Sequence, residues 1–128
     1  MEIKNITKEL SNAPVESKAN INFIKLTGNE NLSVYAAKIV PLSELNPHYH
    51  LHGIEPYRFL KGNGLMKVGK KINNPIELVK SFHVRQGDFF SIAEGTIHQI
   101  INDTQNPLLA IFSCPESHLG HERFFINN

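Results

Sequence analysis

Apolar and polar residues alternate in short runs along most of this chain, and glycine, proline and asparagine separate the runs. In residues 76–84 one parity carries four apolar side chains, the last two of which are Phe82 and Val84, while the other parity carries Glu77, Ser81 and His83. A period of two is typical of a strand with one dry face. His83 has the opposite parity, so we expect it on the wetter face and do not count it as a ligand. Comparable runs predict strands over residues 21–26, 33–40, 57–61, 65–68, 89–92, 98–102 and 108–114.

Turn residues lie between these strands. Residues 62–64, with the sequence Gly-Asn-Gly, favour the positive backbone angles of a tight hairpin. We therefore expect strand 65–68 to fold back as the partner of strand 57–61. A loop over residues 69–75 follows. The series of roughly eight to ten short strands, without a stretch of helical periodicity, predicts an all-β domain, either an antiparallel sandwich or a barrel.

The 128 residues are enough for one domain with a substantial core and too few for two. We divide this domain into three parts. Residues 1–20 are polar and irregular, and we expect them to form an arm along the body, with a short helical turn before Ser11. Residues 21–115 form the barrel. Residues 116–128 form a tail that ends in a short helix or an extended arm.

The last two predicted strands are apolar on both faces. Ile97 and Ile101 oppose Ile100, and in strand 108–114 apolar residues occupy both parities. A strand that is covered on both sides needs a second layer, which its own chain or another subunit can provide. A homodimer is the simpler explanation, so we expect a second copy of the chain as a partner.

Composition excludes several classes of partner. The formal net charge is +1, with acidic and basic residues interspersed, which gives no electrostatic footprint for nucleic acid or for an anionic membrane. No apolar run approaches the length that spans a bilayer, and the N-terminus, MEIKNITKEL, lacks the apolar segment of a signal peptide. Cys114 is the only cysteine, which fits a reducing compartment. We therefore expect a cytoplasmic protein.

Candidate chemistry is concentrated in two stretches. In the first stretch, His48, His50 and Glu55 follow one another closely. Successive side chains of an extended segment point to opposite faces, so a His-x-His pair directs both imidazoles to the same side. Two imidazoles and a carboxylate are donors of the kind that bind divalent first-row metals. The second stretch, residues 87–102, offers His98 as a fourth donor.

The spacing of these residues resembles the two motifs of the cupin family. The first motif reads G-x5-H-x-H-x3,4-E-x6-G, and four of its positions match: His48, His50, Glu55 and Gly62. The second reads G-x5-P-x-G-x2-H-x3-N, and four of its positions match: Gly87, Gly95, His98 and Asn102. Leu42 stands at the first glycine and Ala93 at the proline. Both departures are backbone positions, so they affect turn geometry and leave the ligand set complete.

The resemblance implies a jelly-roll barrel, that is, a double-stranded antiparallel β-helix, with one divalent transition metal per chain near its axis. The implied metal ligands are His48, His50, Glu55 and His98. Four protein ligands on an octahedral ion leave two positions open for water, a substrate oxygen or dioxygen. Iron, manganese, nickel, cobalt, copper and zinc all accept this donor set. If Glu55 points inward, strand alternation brings Tyr57 and Phe59 with it as aromatic walls.

The remaining histidines and the cysteine have plainer explanations. His52 shares the parity of the His-x-His pair, but it lies where the chain must bend toward the acidic ligand. Cys114 ends an apolar strand and is expected to be a small buried hydrophobe. His118 and His121, in the segment CPESHLGHERF, could form a second metal site with Cys114. Histidines in a tail are usually solvated, so we do not expect this site.

Two functions fit this resemblance. The first is an enzyme that acts on a small oxygenated molecule, as cupin dioxygenases and cupin sugar isomerases do. Its candidate catalytic residues are Glu55 and Tyr57, for the proton transfer that an isomerase requires. The second is a binding module that holds a small ligand at its metal without turnover. In both cases the partner is a small molecule. A purely structural barrel is a third possibility, but it leaves four correctly spaced donors unexplained.

Overall fold

A computed structural model describes residues 1–70 and 77–126 of the chain. The predicted loop beyond Lys70 and the predicted strand start at Ile76 lie outside the described residues. Gly69 and Lys70 themselves belong to a strand. The described elements, in chain order, are α1 (Ile6–Ser11), β1 (Val15–Glu16), β2 (Ile21–Gly28), β3 (Ser33–Ile39), β4 (Ser43–Glu44), β5 (His48–Tyr49), β6 (Glu55–Lys61), β7 (Asn63–Lys70), β8 (Glu77–Arg85), β9 (Phe89–Ile92), β10 (Thr96–Asn102), β11 (Leu108–Cys114), a 3-10 helix (Glu116–Leu119) and β12 (Phe124–Phe125).

The strands form two antiparallel sheets. The first sheet has the order β1-β2-β3-β11-β6-β9, and the second has the order β12-β5-β10-β7-β8, with β4 also paired to β10. Side chains from both sheets meet in one hydrophobic core, which includes Tyr35, Phe59 and Phe112 from the first sheet and Met66 and Ile100 from the second. The prediction of an all-β jelly-roll barrel is therefore confirmed.

Strand alternation directs the side chains of β6 as the sequence predicts. Glu55, Tyr57 and Phe59 are buried, whereas Arg58 between the last two is exposed. Because residues two apart share a face of a strand, the acidic residue at the start of β6 enters the barrel together with the two aromatic residues. The same rule explains why the eight predicted strands all occur, with boundaries shifted by a few residues.

The tight hairpin predicted at residues 62–64 is wrong. β6 pairs with β9 and β11 in the first sheet, whereas β7 pairs with β8 and β10 in the second. The chain crosses between the sheets at Gly62, whose φ is 93° and whose added Cβ would lie 2.4 Å from the carbonyl oxygen of Pro107. A Cβ at Gly64 would lie 2.7 Å from the carbonyl oxygen of Ile101. These glycines permit close packing against another segment instead of a hairpin turn.

The dry face predicted for β8 is only partly dry. Val84 is buried, but Phe82 is 49% exposed. β8 and β9 are edge strands of the two sheets, and Phe82, Phe89 and Phe90 line an apolar cleft there. Phe82 remains exposed because it lies at the rim of this cleft. His83 is exposed, as the opposite parity predicts.

Both faces of β10 are buried within the single chain. Ile97 and Ile100 point to opposite faces of the strand, and each is 0% exposed. The second layer predicted for this strand therefore comes from the chain itself. β11 differs, because Leu109 and Ile111 on its outer face are only half-buried.

The two terminal segments fold onto the body. In the N-terminal arm, α1 begins after Asn5, whose side-chain oxygen accepts a hydrogen bond from the Lys8 N–H at 3.0 Å. Leu10 and Ala19 are buried, and β1 pairs with β2. The tail contains the 3-10 helix and then β12, which pairs with β5. Within residues 1–70 and 77–126, no helix has the length and apolar character required to cross a bilayer.

Leu42, which occupies the position of the missing cupin glycine, has a left-handed backbone conformation. Its φ is 56°, its side chain is 65% exposed, and its N–H donates to the carbonyl oxygen of Thr104 at 3.2 Å. A bulky residue is rare in this region because its Cβ crowds the next carbonyl, at a cost of roughly 1 kcal/mol. Leu42 thus adopts a backbone conformation that usually requires glycine.

Replacing Leu42 by glycine is expected to raise the free energy of unfolding by up to about 0.5 kcal/mol, because the relief of backbone strain slightly exceeds the entropic cost of a glycine and little buried surface is lost. Leu32→Gly is the matched control, since Leu32 is 58% exposed and is not among the residues with positive φ. There glycine should lower the free energy of unfolding by about 0.5–1 kcal/mol. Urea unfolding followed by circular dichroism measures both changes, and equal losses would contradict the strain at Leu42.

Candidate metal centre

Three histidines meet inside the barrel. His48 lies in β5, His50 follows it by two residues, and His98 lies in β10, where it pairs in register with His48. All three residues are buried, and one ring nitrogen from each lies within 4.8 Å of the others. The structure thus brings together the three histidines of the predicted ligand set.

Backbone carbonyls fix the orientation of each ring. Each Nδ1 contacts a carbonyl oxygen: His48 with Asn46 at 3.0 Å, His50 with Glu122 at 2.9 Å and His98 with Thr96 at 3.1 Å. A proton on Nδ1 leaves Nε2 with a free lone pair. Among the described residues, the buried Nε2 of His98 makes no hydrogen bond, and the buried Nε2 of His50 has only the Glu55 carboxylate within reach, outside good hydrogen-bond geometry. Because an unpartnered buried nitrogen is costly, these atoms fit the ligands of a metal ion.

Glu55 supplies the acidic group of the site. The residue is 2% exposed. Its Oε2 lies 3.0 Å from Nε2 of His50, and its Oε1 lies 3.9 Å from Nε2 of His98. The Tyr57 hydroxyl donates to Oε1 at 2.5 Å and thereby orients the carboxylate. Both histidine nitrogens therefore face the same carboxylate, as a shared metal site requires.

Burial and neighbouring charges set the protonation states of these groups. Burial, reinforced by His98, holds the pKa of His48 well below its ordinary value, and burial also lowers the pKa of His98. Burial acts to raise the pKa of Glu55, but its contacts with His118 and His50 outweigh burial and hold that pKa well below the usual range. At neutral pH, His48 and His98 are thus neutral and Glu55 is charged, the forms in which these side chains bind metals.

His118 lies against Glu55, a position that the sequence analysis did not predict. The residue belongs to the 3-10 helix of the tail and is 0% exposed. Its Nδ1 lies 3.0 Å from Oε2 of Glu55, and its Nε2 lies 2.5 Å from the carbonyl oxygen of His52. Burial acts to lower the pKa of His118, but these two acceptors together raise it above the ordinary value. His118 therefore donates from both nitrogens and orients the Glu55 carboxylate.

The stacking of His118 on His50 separates the roles of the two rings. Their planes are parallel within 2°, and their centroids are 4.0 Å apart. The lone pair of an imidazole nitrogen lies in the ring plane, so the lone pairs of two parallel, stacked rings do not converge on one point. His118 and His50 are thus unsuited to share one ion, and we place His118 outside the ligand set as the residue that supports Glu55.

The tail positions the loop after β5 as well. The Glu122 carboxylate accepts a hydrogen bond from the backbone N–H of His52 at 2.9 Å. The same carboxylate lies 3.1 Å from Nδ1 of the His52 ring. The His52 side chain is 81% exposed, in agreement with its predicted place in a bend outside the site. The expectation of solvated tail histidines is therefore wrong for His118 and correct for His121, which is exposed.

Cys114 is buried at 1% exposure. Burial, with a smaller contribution from the Glu55 charge, raises the pKa of its thiol, so the thiolate form is disfavoured. Within the part of the chain that the structure describes, the groups of side chains that could hold a metal do not include Cys114. These observations agree with a small buried hydrophobe.

A small cavity adjoins the predicted ligands. Its volume is about 20 Å³, which is room for about one water molecule. The residues that line it are Ala19, Ile21, Phe23, Leu45, His48, Glu55, Tyr57, Phe112, Leu119 and Arg123. Tyr57 therefore forms part of an aromatic wall, as predicted, whereas Phe59 packs in the hydrophobic core.

A sequence model of the cupin family matches residues 12–125. The chain belongs to the cupin family. This cupin is 31% identical over 103 residues to germin-like protein 8-10 from Oryza sativa subsp. japonica. The alignment covers 78% of this chain and 45% of that protein, so the match spans less than half the length of this relative.

Solved structures share the fold of this cupin. A protein with a double-stranded β-helix domain from Klebsiella pneumoniae superimposes with a TM-score of 0.73 over 100% of this chain and 99% of that one, at 16% identity. Oxalate decarboxylase from Lactobacillus farciminis, in complex with formate, superimposes with a TM-score of 0.64 over 82% of this chain and 31% of that one, also at 16% identity. Identities this low establish the fold alone.

His118→Ala is expected to lower the free energy of unfolding of the metal-free protein by about 3 kcal/mol, because the buried Glu55 carboxylate loses a charged partner. His121→Ala is the matched control, since His121 is exposed in the same tail and should change that free energy by less than about 0.5 kcal/mol. Urea unfolding after treatment with a chelator measures both changes. Equal stabilities of the two variants would show that Glu55 does not depend on His118.

Proposed function

We propose that this cupin binds one divalent transition metal per chain through His48, His50, His98 and Glu55. The observation that carries the proposal is that the Nε2 atoms of His50 and His98 are buried and face the Glu55 carboxylate, and that the Nε2 of His98 makes no hydrogen bond among the described residues. Three neutral imidazoles and one carboxylate suit iron, manganese, nickel, cobalt, copper and zinc alike.

We further infer that the protein is an enzyme that acts on a small oxygenated molecule, as a dioxygenase or an isomerase. When bound, the metal supplies Lewis acidity and open coordination positions. The chain holds the acidic ligand through both oxygens, because Tyr57 donates to Oε1 and His118 contacts Oε2. For an isomerase, Glu55 and Tyr57 are the proposed proton-transfer residues. The apolar wall of the cavity limits access of water to them.

A binding module without turnover is the second candidate function, and the state of Tyr57 favours it over an isomerase. The hydroxyl proton of Tyr57 is already donated to Glu55 at 2.5 Å. Burial, followed by the Glu55 charge, raises the pKa of this hydroxyl well above its ordinary value. A phenol in this state holds the carboxylate firmly and is a poor proton donor to a substrate, so proton-transfer chemistry has less support than simple ligand binding or oxygen chemistry.

One of the named relatives supports catalysis on this fold without choosing a reaction. Oxalate decarboxylase from Lactobacillus farciminis is an enzyme built on the same fold, so the barrel is compatible with catalysis. Its low identity and the short share of its chain that is covered do not transfer its substrate to this protein.

Protein purified without chelator or affinity tag is expected to contain about one transition-metal ion per chain, as the proposed set of four ligands predicts. His98→Ala should weaken metal binding by about a hundredfold or more, because it removes a ligand. His83→Ala is the matched control, since His83 is exposed on an edge strand. Elemental analysis and Co²⁺ titration against a competing chelator measure both effects.

These measurements first test the ligand set and then distinguish the enzyme from the binding module. Metal retained by the His98→Ala protein as firmly as by the parent would contradict the ligand set. If the metal site holds, consumption of oxygen or conversion of a substrate that is lost in Glu55→Ala supports the enzyme. Saturable uptake of a ligand without product supports the binding module.

We also propose that the protein is a homodimer. Phe82 and Phe89 on the rim of the apolar cleft are 49% and 69% exposed, and burial of such side chains favours association. Light scattering is expected to give twice the chain mass of 14.5 kDa. Phe89→Asp should lower the measured mass toward that of one chain, whereas Leu51→Asp, at a residue 48% exposed outside the cleft, should not. A parent protein with the mass of one chain would contradict the dimer.

A further inference from the structure

The proposed metal ligands lie inside a closed space. Each of the four residues is at most 5% exposed, and the cavity beside them has a volume of about 20 Å³, enough for about one water molecule. A metal ion that carries its own water molecules, or a small molecule that binds at the metal, is larger than this cavity. Part of the cavity wall therefore has to move before either can enter.

The C-terminal tail covers one side of this cavity and is attached to its sheet by a short edge strand. We call residues 116–126 the tail strap, and its residues Leu119 and Arg123 line the cavity. The strap joins the sheet through β12, which has two residues and pairs with β5 at the sheet edge. β2, which contributes Ile21 and Phe23 to the same wall, has eight residues and pairs with both β1 and β3. Opening the strap thus breaks far fewer backbone hydrogen bonds than moving β2.

The side chains of the strap also hold it only loosely. The Glu122 carboxylate contacts His52, whose side chain is exposed, so water can replace this contact. The apolar residues of the strap that pack against the hydrophobic core are Leu119 and Phe125, and both are only partly buried. Because burial of apolar surface is the main force that keeps an element docked, the strap loses less on opening than a core strand does.

A buried donor of Arg123 weakens the closed position of the strap. The Arg123 side chain is 6% exposed, and its Nη1 donates to Oε2 of Glu16. Among the described residues, the buried Nε of Arg123 has no hydrogen-bond acceptor. A buried donor without a partner is costly, and the cost disappears when water reaches the donor. The closed position therefore carries a penalty that an open position lacks.

Two contacts of the strap act directly on the proposed ligands. The carbonyl oxygen of Glu122 contacts Nδ1 of His50, and the ring of His118 contacts the Glu55 carboxylate. Such partners orient ligands and strengthen metal binding. When the strap moves away, His50 and Glu55 lose these partners, so the open protein binds a metal less tightly than the closed one. Bound metal then favours the closed position, since a ligand shifts an equilibrium toward the state that it binds better.

We propose that the tail strap is a gate over the metal centre, which opens to admit the metal and the small molecule that binds there and closes when the metal is bound. This inference rests on the metal centre proposed above. Its consequence is that the metal leaves the protein only as often as the strap opens. Release of the metal should therefore depend on contacts that no ligand makes, such as the pair of Glu16 and Arg123.

The first test locks the strap with a disulfide. Tyr49 of β5 and Phe124 of β12 lie directly opposite each other. Opposite residues of an antiparallel pair have Cα atoms roughly 4.5–5.5 Å apart, which a disulfide can bridge. The variant Tyr49→Cys/Phe124→Cys is loaded with Zn²⁺, which has no redox chemistry, and is then oxidised. Oxidation should slow the transfer of Zn²⁺ to an excess of a chromogenic chelator by about tenfold or more, because it blocks the local opening.

A second cross-link serves as the matched control. Lys67 of β7 and Ser81 of β8 also lie opposite each other, outside the strap. Oxidation of Lys67→Cys/Ser81→Cys should leave the rate of Zn²⁺ transfer unchanged. Equal rates for the oxidised and the reduced forms of the strap variant would overturn the proposal.

A single substitution should move the rate in the other direction. Glu16→Gln removes the charge that holds Arg123, so the strap should open more often and Zn²⁺ transfer should become a few-fold faster. Glu2→Gln, at an exposed glutamate of the same N-terminal arm, is the control and should leave the rate unchanged. A Glu16→Gln protein that releases Zn²⁺ no faster than the parent would contradict the gate.

Hydrogen exchange tests the gate in the parent protein, without any variant. Within the strap, the backbone N–H groups of His118 and Ile126 donate to the carbonyl oxygens of Pro115 and Pro47. In the metal-free protein these amides should exchange at least about tenfold faster than those of β10, which lies inside its sheet. Addition of Zn²⁺ should slow the exchange of the strap. Strap amides that exchange as slowly as those of β10 without metal would overturn the proposal.

The two levels of the hypothesis fail in different ways. A parent protein that takes up no Zn²⁺ contradicts the metal centre, and with it the gate. A parent that takes up one Zn²⁺ per chain, loses it in His98→Ala, and releases it equally fast with the strap locked or free contradicts the gate and leaves the metal centre standing.

Discussion

The buried carboxylate of Glu55 is the group on which the architecture of this site depends. A charge at 2% exposure is tolerated only if it is paired and hydrogen-bonded. Tyr57 donates to one oxygen and His118 contacts the other, while two histidine nitrogens without other partners face it from the barrel wall. The carboxylate thereby links β6, β5, β10 and the C-terminal tail. Its requirement for partners explains why a histidine far along the chain is buried.

The parts of the fold that follow from local periodicity could be predicted from the sequence. Alternation along each strand identified the eight longer strands, and it also placed Tyr57 and Phe59 on the same side as Glu55. The rings of His48 and His50 approach each other inside the barrel for the same reason, and the register of β5 with β10 brings His98 opposite His48. These placements could be predicted without knowledge of distant residues, because residues two apart share a face of a strand whatever surrounds them.

The parts that depend on distant packing could not be predicted. Gly62 is required because the carbonyl of Pro107 packs against it, and no local sequence pattern reveals this neighbour. The hairpin predicted from the local sequence was therefore wrong. The short strands β4, β5 and β12 contain two residues each, too few for a periodic pattern. His118 has no local signal at all. A search for partners of the buried Glu55 would have been the only route to it, because a buried acid demands a donor.

The participation of the tail ties the maturation of the site to the order of protein synthesis. Glu122 and His118 follow their partners, His50 and Glu55, by 72 and 63 residues. A ribosome therefore delivers all four proposed metal ligands before it delivers the groups that orient two of them. Nascent chains that stop after His98 carry a full set of donors and an unsupported carboxylate. The proposed centre can therefore take its final geometry only after residues 118–122 have been synthesised and have folded over the barrel.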